Sequence, residues 1–198
     1  MELRSAFDLH PKEAAIVGRI LAEYSELEFE LSQLTGKVLN DMHRGLRAIF
    51  RAKGEETRIN IADALIRSEL IRIELGDQYE AMLGAIRHCK KIRNQYAHAH
   101  WTNAFDEHGL AFVNLEESAE SKIGPTFVKP YDVDLNLLKK QEEYFQYTSR
   151  WLYFLIDEYD FRVGKSPSPA TAPKIIEKPN LYIPLKTADN QAPVATKQ

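Results

Sequence analysis

Residues 11–38 read PKEAAIVGRILAEYSELEFELSQLTGKV, and this stretch decides the class of fold. Its large apolar side chains recur at steps of three and four residues from Ile16 to Val38, which places them in one stripe along a helix of about 30 residues. Pro11 suits the first turn of such a helix, where its missing N–H leaves no backbone bond unmade. A stripe of this length is typical of a helix that packs against neighbours in a bundle or across a dimer, and the pattern leaves both arrangements open.

Three further segments repeat this helical period. The first follows Gly54, the next starts near Asp77 and should end near Trp101, and the last runs from about Asp134 to about Phe161. The two aspartates are suitable N-caps, because a short carboxylate side chain accepts hydrogen bonds from the free N–H groups of a first turn. Together with the first helix, these segments predict a mostly α protein, a four- to five-helix bundle.

The period changes to that of β-strands between the third and the last of these helices. Residues 110–115 and 126–128 form two short apolar runs that predict a small β-hairpin insertion at about 110–130, laid over the helical body. Pro130 limits the second strand to a sheet edge, because proline has no N–H to donate.

The composition changes again after the last helix. Six of the nine prolines lie after Gly164, and Tyr182 is the one aromatic residue there. Such a segment buries too little apolar area to offset its ordering entropy. We therefore expect a helical domain at 1–162 and a flexible, proline-rich tail at 163–198 that is mostly disordered or extended. Its expected docking point, on this protein or on a partner, is the Leu-Tyr-Ile patch at 181–183.

The overall composition excludes several classes of protein. Of the 198 residues, 44% are hydrophobic and 28% charged, the balance of a globular protein in water. The longest strongly apolar cluster, residues 151–156, is too short to span a membrane, and the first residues contain no apolar signal region. The single cysteine, Cys89, excludes an internal disulfide framework and a multi-thiolate zinc site. We expect a cytoplasmic protein with no membrane partner.

The charge is unevenly distributed along the chain. The net charge is −3, yet the tail has five lysines and two carboxylates, so the rest of the chain carries −6. Within this acidic body, residues 42–54 and 81–105 contain no carboxylate at all. Local potential decides where an anion binds, so these windows supply candidate phosphate or RNA contacts, with two solvated basic faces as the alternative. The candidates are Arg44, Arg47, Arg51, Arg87, Lys90 and Lys91.

Residues 92–101, IRNQYAHAHW, contain the residues best suited to chemistry. A helix turns about 100° per residue, so Asn94 and His98 lie about 40° apart on one face, whereas Arg93 and His98 lie about 140° apart. Arg93 and His100 share a face if the helix continues that far. A straight helix therefore slightly favours His100 as the partner of Arg93, provided that its last turn is intact.

These residue types match the needs of RNA cleavage without a metal. RNA carries its own nucleophile, the 2′-hydroxyl, and histidine is the side chain that titrates near neutral pH as a general base. Arginine remains charged and grips phosphate through two N–H groups. The Asn94 amide can orient the imidazole or hold a phosphate oxygen.

The order Arg-Asn-x-x-x-His at a helix end resembles the Arg-x(4–6)-His motif of the HEPN superfamily (higher eukaryotes and prokaryotes nucleotide-binding domains). The likeness covers the motif and the helical order of about residues 11–162. It implies an all-helical, frequently dimeric bundle and a metal-independent endoribonuclease, in many cases a toxin or defence effector that an antitoxin-like partner neutralises. It further implies that Arg93, Asn94 and His98 are the site residues, that the Arg and His of two protomers meet at the dimer interface, and that no cofactor is needed.

Other interpretations of the motif remain open. Arg-Asn-x-x-Ala-His is also similar to mannitol-repressor-like bacterial proteins, for which nuclease activity need not follow. The hairpin and the acidic body depart from a minimal HEPN bundle. In the alternative function, a non-catalytic binding or regulatory module for a nucleotide or a protein, Arg93 pairs with a carboxylate of another helix, while Asn94 and His98 hold the following loop.

Three weaker candidates lie near the motif. Glu28, at the edge of the first apolar stripe, could hold Arg93 or orient a histidine, or could be solvated. His98-x-His100 could bind a metal in an extended chain, with His88, Cys89 or His108 as further ligands, but their spacing is unconvincing and we predict no metal. We expect Cys89 to be a buried small side chain, because it shares a helix face with residues 82 and 86.

Overall fold

The computed structural model describes residues 5–103, 109–115 and 130–183. The helices are α1 (Ala6–Leu9), α2 (Pro11–Val38), α3 (Met42–Phe50), α4 (Glu55–Arg72), α5 (Gly76–Ala97) and α6 (Leu135–Arg162). The strands are β1 (His100–Asn103), β2 (Leu110–Val113) and β3 (Pro130–Val133). The prediction of a mostly α bundle with a small β element is confirmed. Among the helices of these residues, none combines the length and the apolar character that crossing a membrane requires.

The apolar stripe of α2 lies at the centre of the bundle. Ile20, Leu27 and Leu34, which follow one another at seven-residue steps, are almost completely buried. The helix contacts α3, α4, α5 and α6, with the most extensive packing against α6. An apolar face of this length needs several neighbours to cover it, which is why the remaining helices surround α2.

Helix α3 was not predicted from the sequence, which showed only a basic window there. The Asp41 side chain caps it by accepting a hydrogen bond from the Arg44 N–H at 3.0 Å. Gly36 of α2 and Gly45 of α3 let the two backbones meet, since a Cβ on Gly45 would lie 2.5 Å from the Gly36 nitrogen. Two residues without side chains thus fix this helix crossing.

The ends of α5 differ from the prediction. The helix begins at Gly76 with Leu75 as its N-cap, so Asp77 lies in the first turn and is not the cap. It ends at Ala97, and the predicted continuation to Trp101 is wrong. Trp101 lies in β1 instead, because its ring packs against Phe112, with the ring centroids 5.7 Å apart. Asp134 does cap α6, as predicted.

Within the residues that the structure describes, the β element is a three-stranded antiparallel sheet in the order β1-β2-β3. Trp101 pairs with Phe112, and Phe112 pairs with Tyr131 across the next ladder. The predicted strand at 126–128 lies outside the described residues. The observed edge strand begins with Pro130, a position at which the missing N–H of proline costs no ladder bond.

Residues 163–168 form turns and bends after α6, and residues 169–183 continue along the bundle without helix or paired strand, apart from a single bridge at Ile183. We call residues 176–183 the strap, because buried side chains of α5 and α6 hold its backbone. His88 Nε2 donates to the Pro179 carbonyl at 2.8 Å, and Gln141 Nε2 donates to the Asn180 carbonyl at 2.7 Å. The Leu-Tyr-Ile patch at 181–183 therefore docks on this chain itself. Residues 184–198 of the predicted tail lie outside the described part.

Candidate functional site

The last turns of α5 place the three motif residues around one open depression. Arg93, Asn94 and His98 line it, and the start of α4 supplies the facing wall with Glu55 and Arg58. The depression has a volume of about 430 Å³. The Arg93 side chain is 31% exposed and His98, the C-cap of α5, is exposed. The motif therefore faces solvent and not the packed core, and we call this hollow the motif depression.

Arg93 is held in place from three sides. Its Nη1 lies 2.6 Å from Glu55 Oε1 of α4 and donates to Asn94 Oδ1 at 3.0 Å. The guanidinium carbon lies 5.8 Å from the ring centroid of the buried Tyr24, within the range of a cation–π contact. Both polar contacts use Nη1, and Nη2 and Nε form no hydrogen bond with another described residue. The carboxylate that pairs with Arg93 thus comes from another helix.

Glu28 contacts an arginine that sequence reasoning missed. Its Oε2 accepts a hydrogen bond from Arg58 Nη1 at 2.6 Å, so it holds Arg58, and among the described residues it forms no hydrogen bond with Arg93 or a histidine. Glu28 is buried, which overturns the solvated interpretation. Burial raises the pKa of its carboxyl, while the nearby Arg58 lowers that pKa. Nothing in the pattern of α4 distinguishes Arg58 from the other cations of the helix.

Two further contacts of Arg58 connect α3 to the motif depression. Its Nε donates to the Ala52 carbonyl at 3.2 Å, and its guanidinium lies 5.3 Å from the ring centroid of Phe50. The three predicted cations in and next to α3 are exposed and form no ion pair within the described residues; they are Arg44 and Arg47 of the helix and Arg51, its C-cap. The end of α3 therefore adjoins the motif depression, although these arginines do not line it.

The basic window of α5 is partly neutralised by acids of the neighbouring helix. Arg87 Nε lies 3.4 Å from Glu56 Oε1, and Lys90 Nζ also pairs with the Glu56 carboxylate. Hydrogen bonding to Lys90 lowers the pKa of Glu56, as does Arg87 to a smaller extent. Lys91 is exposed and has no ion pair in the part of the chain that the structure describes. An acidic first turn is favourable for α4, because carboxylates interact well with a helix N-terminus.

A second depression, of about 560 Å³, shares Asn94 and His98 with the first. Its other lining residues include Lys91 of α5, Tyr131 of β3 and Tyr182 of the strap. We call it the aromatic depression.

His100 lies apart from both depressions. It begins β1 and is exposed, and it lines neither the motif depression nor the aromatic depression. The face that Arg93 and His100 were expected to share does not form, because α5 ends before His100. Of the two histidines, His98 is the one that lies beside Arg93.

The weaker metal candidates are dispersed. Cys89 is fully buried as predicted, its Sγ lies 3.4 Å from Thr148 Oγ1, and burial raises the pKa of its thiol to about 12. His88 binds the strap, and burial lowers its pKa. Across residues 5–103, 109–115 and 130–183, no group of three or more His, Cys, Asp or Glu side chains is placed to hold a metal ion, and His108 lies outside these ranges.

Comparison with protein families, curated proteins and solved structures gives no match to this chain. The resemblance to the HEPN superfamily therefore stays a prediction that depends on the motif.

Proposed function

We propose that the protein is a metal-independent endoribonuclease of HEPN type whose site is formed by Arg93, Asn94 and His98. The observation that supports this proposal most strongly is that all three side chains line one solvent-open depression. A buried arginine or a histidine directed into the core could not reach a phosphate. Here the motif is open to a polymer from outside.

The geometry supports a defined role for each residue. His98 accepts the proton of the 2′-hydroxyl, and the 2′-oxygen then attacks the adjacent phosphorus. Arg93 stabilises the charge of the pentacoordinate phosphate through the nitrogens that do not bind Glu55, and Asn94 keeps the guanidinium in place. The bond from phosphorus to the 5′-oxygen breaks, the leaving oxygen takes up a proton from water, His98 gives its proton back to water, and a 2′,3′-cyclic phosphate remains.

The proposal includes a homodimer, as the resemblance implies. The motif lies at the protein surface, so the motifs of two protomers can meet across an interface without unfolding either bundle. An antitoxin-like protein partner would act by covering the same surface.

A second candidate function is a non-catalytic binding module for RNA or a nucleotide. The ion pair between Arg93 and Glu55 favours this binding function, because an arginine that is already paired with a carboxylate joins α5 to α4 and can still contact a phosphate. In this case the depressions bind phosphate and no bond is broken.

Incubation of the purified protein with mixed single-stranded RNA in EDTA distinguishes the endoribonuclease from the non-catalytic binding module. The variants are Arg93→Ala and His98→Ala, with His100→Ala and Arg72→Ala as matched controls, because these two residues lie outside both depressions. We expect cleavage with 2′,3′-cyclic ends by the wild type and both controls, and a loss of about 10²-fold or more in the two motif variants. Intact RNA with a folded wild-type dimer would favour the binding module, and the oligomeric state is measured by light scattering.

A further inference from the structure

The aromatic depression has two chemically different walls. The lining residues from α5 include polar and cationic side chains, among them the exposed Lys91 and the shared residues Asn94 and His98. The opposite wall carries aromatic rings from the sheet and the strap. Cations beside aromatic faces are the combination with which proteins bind single-stranded nucleic acid, because the cations hold phosphates and the rings stack on bases.

The aromatic wall is a continuous series of rings. The centroids of Phe112 and Tyr131 are 5.3 Å apart with the rings stacked at 24°, and those of Tyr131 and Tyr182 are 4.5 Å apart. Exposure rises along the series from 2% at Phe112 to 37% at Tyr182. Tyr182, whose ring is tilted by 44° to that of Tyr131, thus ends a series of contacting rings that begins in the core and reaches solvent at the depression.

The position of Tyr182 is fixed by backbone bonds on both sides. The carbonyl of Leu181 accepts hydrogen bonds from Gln95 Nε2 at 2.8 Å and Gln141 Nε2 at 3.1 Å. The N–H of Ile183 donates to the Asp132 carbonyl at 2.9 Å. The backbone on both sides of the ring is therefore held in place before any ligand arrives, which lowers the entropic cost of stacking against Tyr182.

The aromatic depression adjoins the motif depression, since the two share lining residues. Because Asn94 and His98 line both depressions, a chain whose phosphate lies at the motif passes its neighbouring nucleotide into the aromatic depression. The bases of single-stranded RNA are free to stack on side chains, whereas those of a duplex are not.

We propose that the aromatic depression binds the base of a nucleotide adjacent to the scissile phosphate of single-stranded RNA, stacked on Tyr182, with Lys91 contacting the phosphate of that nucleotide. This inference deepens the proposed ribonuclease function and rests on it for the position of the scissile phosphate. Every base has a π-face, so the subsite tolerates different sequences.

Binding of a fluorescein-labelled single-stranded 2′-O-methyl RNA, which lacks the nucleophile and is not cleaved, tests the subsite by fluorescence anisotropy. Tyr182→Leu keeps an apolar contact with Tyr131 but removes the ring, and we expect it to weaken binding about tenfold. Tyr182→Phe keeps the ring and should bind like the wild type. Tyr153→Leu is the matched control, because Tyr153 of α6 is a 50% exposed tyrosine outside the aromatic depression.

A second oligonucleotide separates stacking from an indirect effect on the strap. Oligonucleotides of the same length are made with one abasic nucleotide, placed at each position in turn. The one that weakens binding to the wild type most should bind it about as weakly as the intact oligonucleotide binds Tyr182→Leu. This abasic oligonucleotide should bind Tyr182→Leu and the wild type equally. A detached strap would instead weaken the binding of both oligonucleotides to Tyr182→Leu, which overturns direct stacking.

The two proposals fail in different ways. Tyr182-dependent binding by a protein that leaves unmodified RNA intact supports the subsite and overturns the nuclease. Cleavage by a Tyr182→Leu variant with wild-type KM and affinity overturns the subsite and leaves the nuclease standing. A wild type that does not bind the 2′-O-methyl RNA also overturns the subsite.

Discussion

The crossing of α2 and α3 makes a sharp prediction for Gly45→Ala. A Cβ at this position would lie 2.5 Å from the Gly36 nitrogen, 2.6 Å from the Gly36 Cα and 2.9 Å from the Ser32 carbonyl oxygen. All three are backbone atoms of α2, so no side-chain rotation can relieve the overlap. We expect the substitution to force the two helices apart.

The size of the effect follows from two opposing contributions. Alanine is more favourable than glycine in a helix interior by about 1 kcal/mol. Restoring an ordinary carbon contact of about 3.5 Å requires a shift of about 1 Å between the helices, and overpacking of this kind costs about 3 kcal/mol. The expected net loss is about 2 kcal/mol in the free energy of unfolding, equivalent to a decrease of about 4–8 °C in Tm for a chain of this length.

Gly84→Ala is the matched control. Gly84 lies on the exposed side of α5, and a Cβ there would have nothing within 4 Å. Helix propensity then acts alone, so we expect a gain of about 0.5–1 kcal/mol. Urea unfolding followed by far-UV circular dichroism measures both variants. A Gly45→Ala protein as stable as Gly84→Ala would refute the close crossing.

Three further predictions concern the strap, the core and a helix cap. Burial lowers the pKa of His88, so the unfolded chain takes up the proton first as the pH falls. The contribution of His88 to the free energy of unfolding is therefore complete above about pH 6.5 and is lost as the pH falls through the folded-state pKa. Urea unfolding between about pH 7 and about pH 5 should show a smaller loss of stability for His88→Gln than for the wild type. Burial raises the pKa of Cys89 to about 12, so the thiol should react with Ellman's reagent only at the rate of unfolding, and rapid reaction of the native protein would contradict this. Asp134 Oδ1 accepts a hydrogen bond from the Leu137 N–H at 2.6 Å, and Asp134→Ala should cost about 1 kcal/mol by thermal denaturation, while Asp134→Asn retains most of it.

Local patterns were sufficient to predict the long helices, and distant contacts explain the errors. The stripe of α2 and the cap of α6 are set by residues within a few positions of one another. The end of α5 is set by distant residues instead, because the chain leaves the helix where Trp101 contacts Phe112 and Phe7, which lie far away in the sequence. The helical period of the residues in α5 therefore cannot predict where this helix ends.

The candidate site was likewise predicted only in part. The motif residues were predicted from their types and from the resemblance, whereas helical spacing slightly favoured His100, and the residues that face the motif were not predicted. Residues 81–105 contain no carboxylate, and yet Glu55 and Glu56 reach them from α4. A charge window along one helix predicts the potential of its surface only when the neighbouring helix is also known.

The strap was predicted as part of an extended tail with a docking point at 181–183, but the side chains that hold it were not predicted. Its prolines and few aromatic residues are typical of a chain without a core. What holds it is a pair of polar side chains buried on the helices, His88 and Gln141, whose hydrogen-bonding capacity is met by strap carbonyls. Buried polar groups need partners, and here the partners come from the extended segment.

The bond between Ile183 and Asp132 has a consequence for the order in which the protein is completed during translation. Strand β3 leaves the ribosome before the whole of α6, and its outer edge stays open until the strap has emerged as well. A nascent chain at this stage offers unpaired N–H and C=O groups to other polypeptides. Ile183 therefore covers part of the edge at which wrong pairing between newly made chains is easiest.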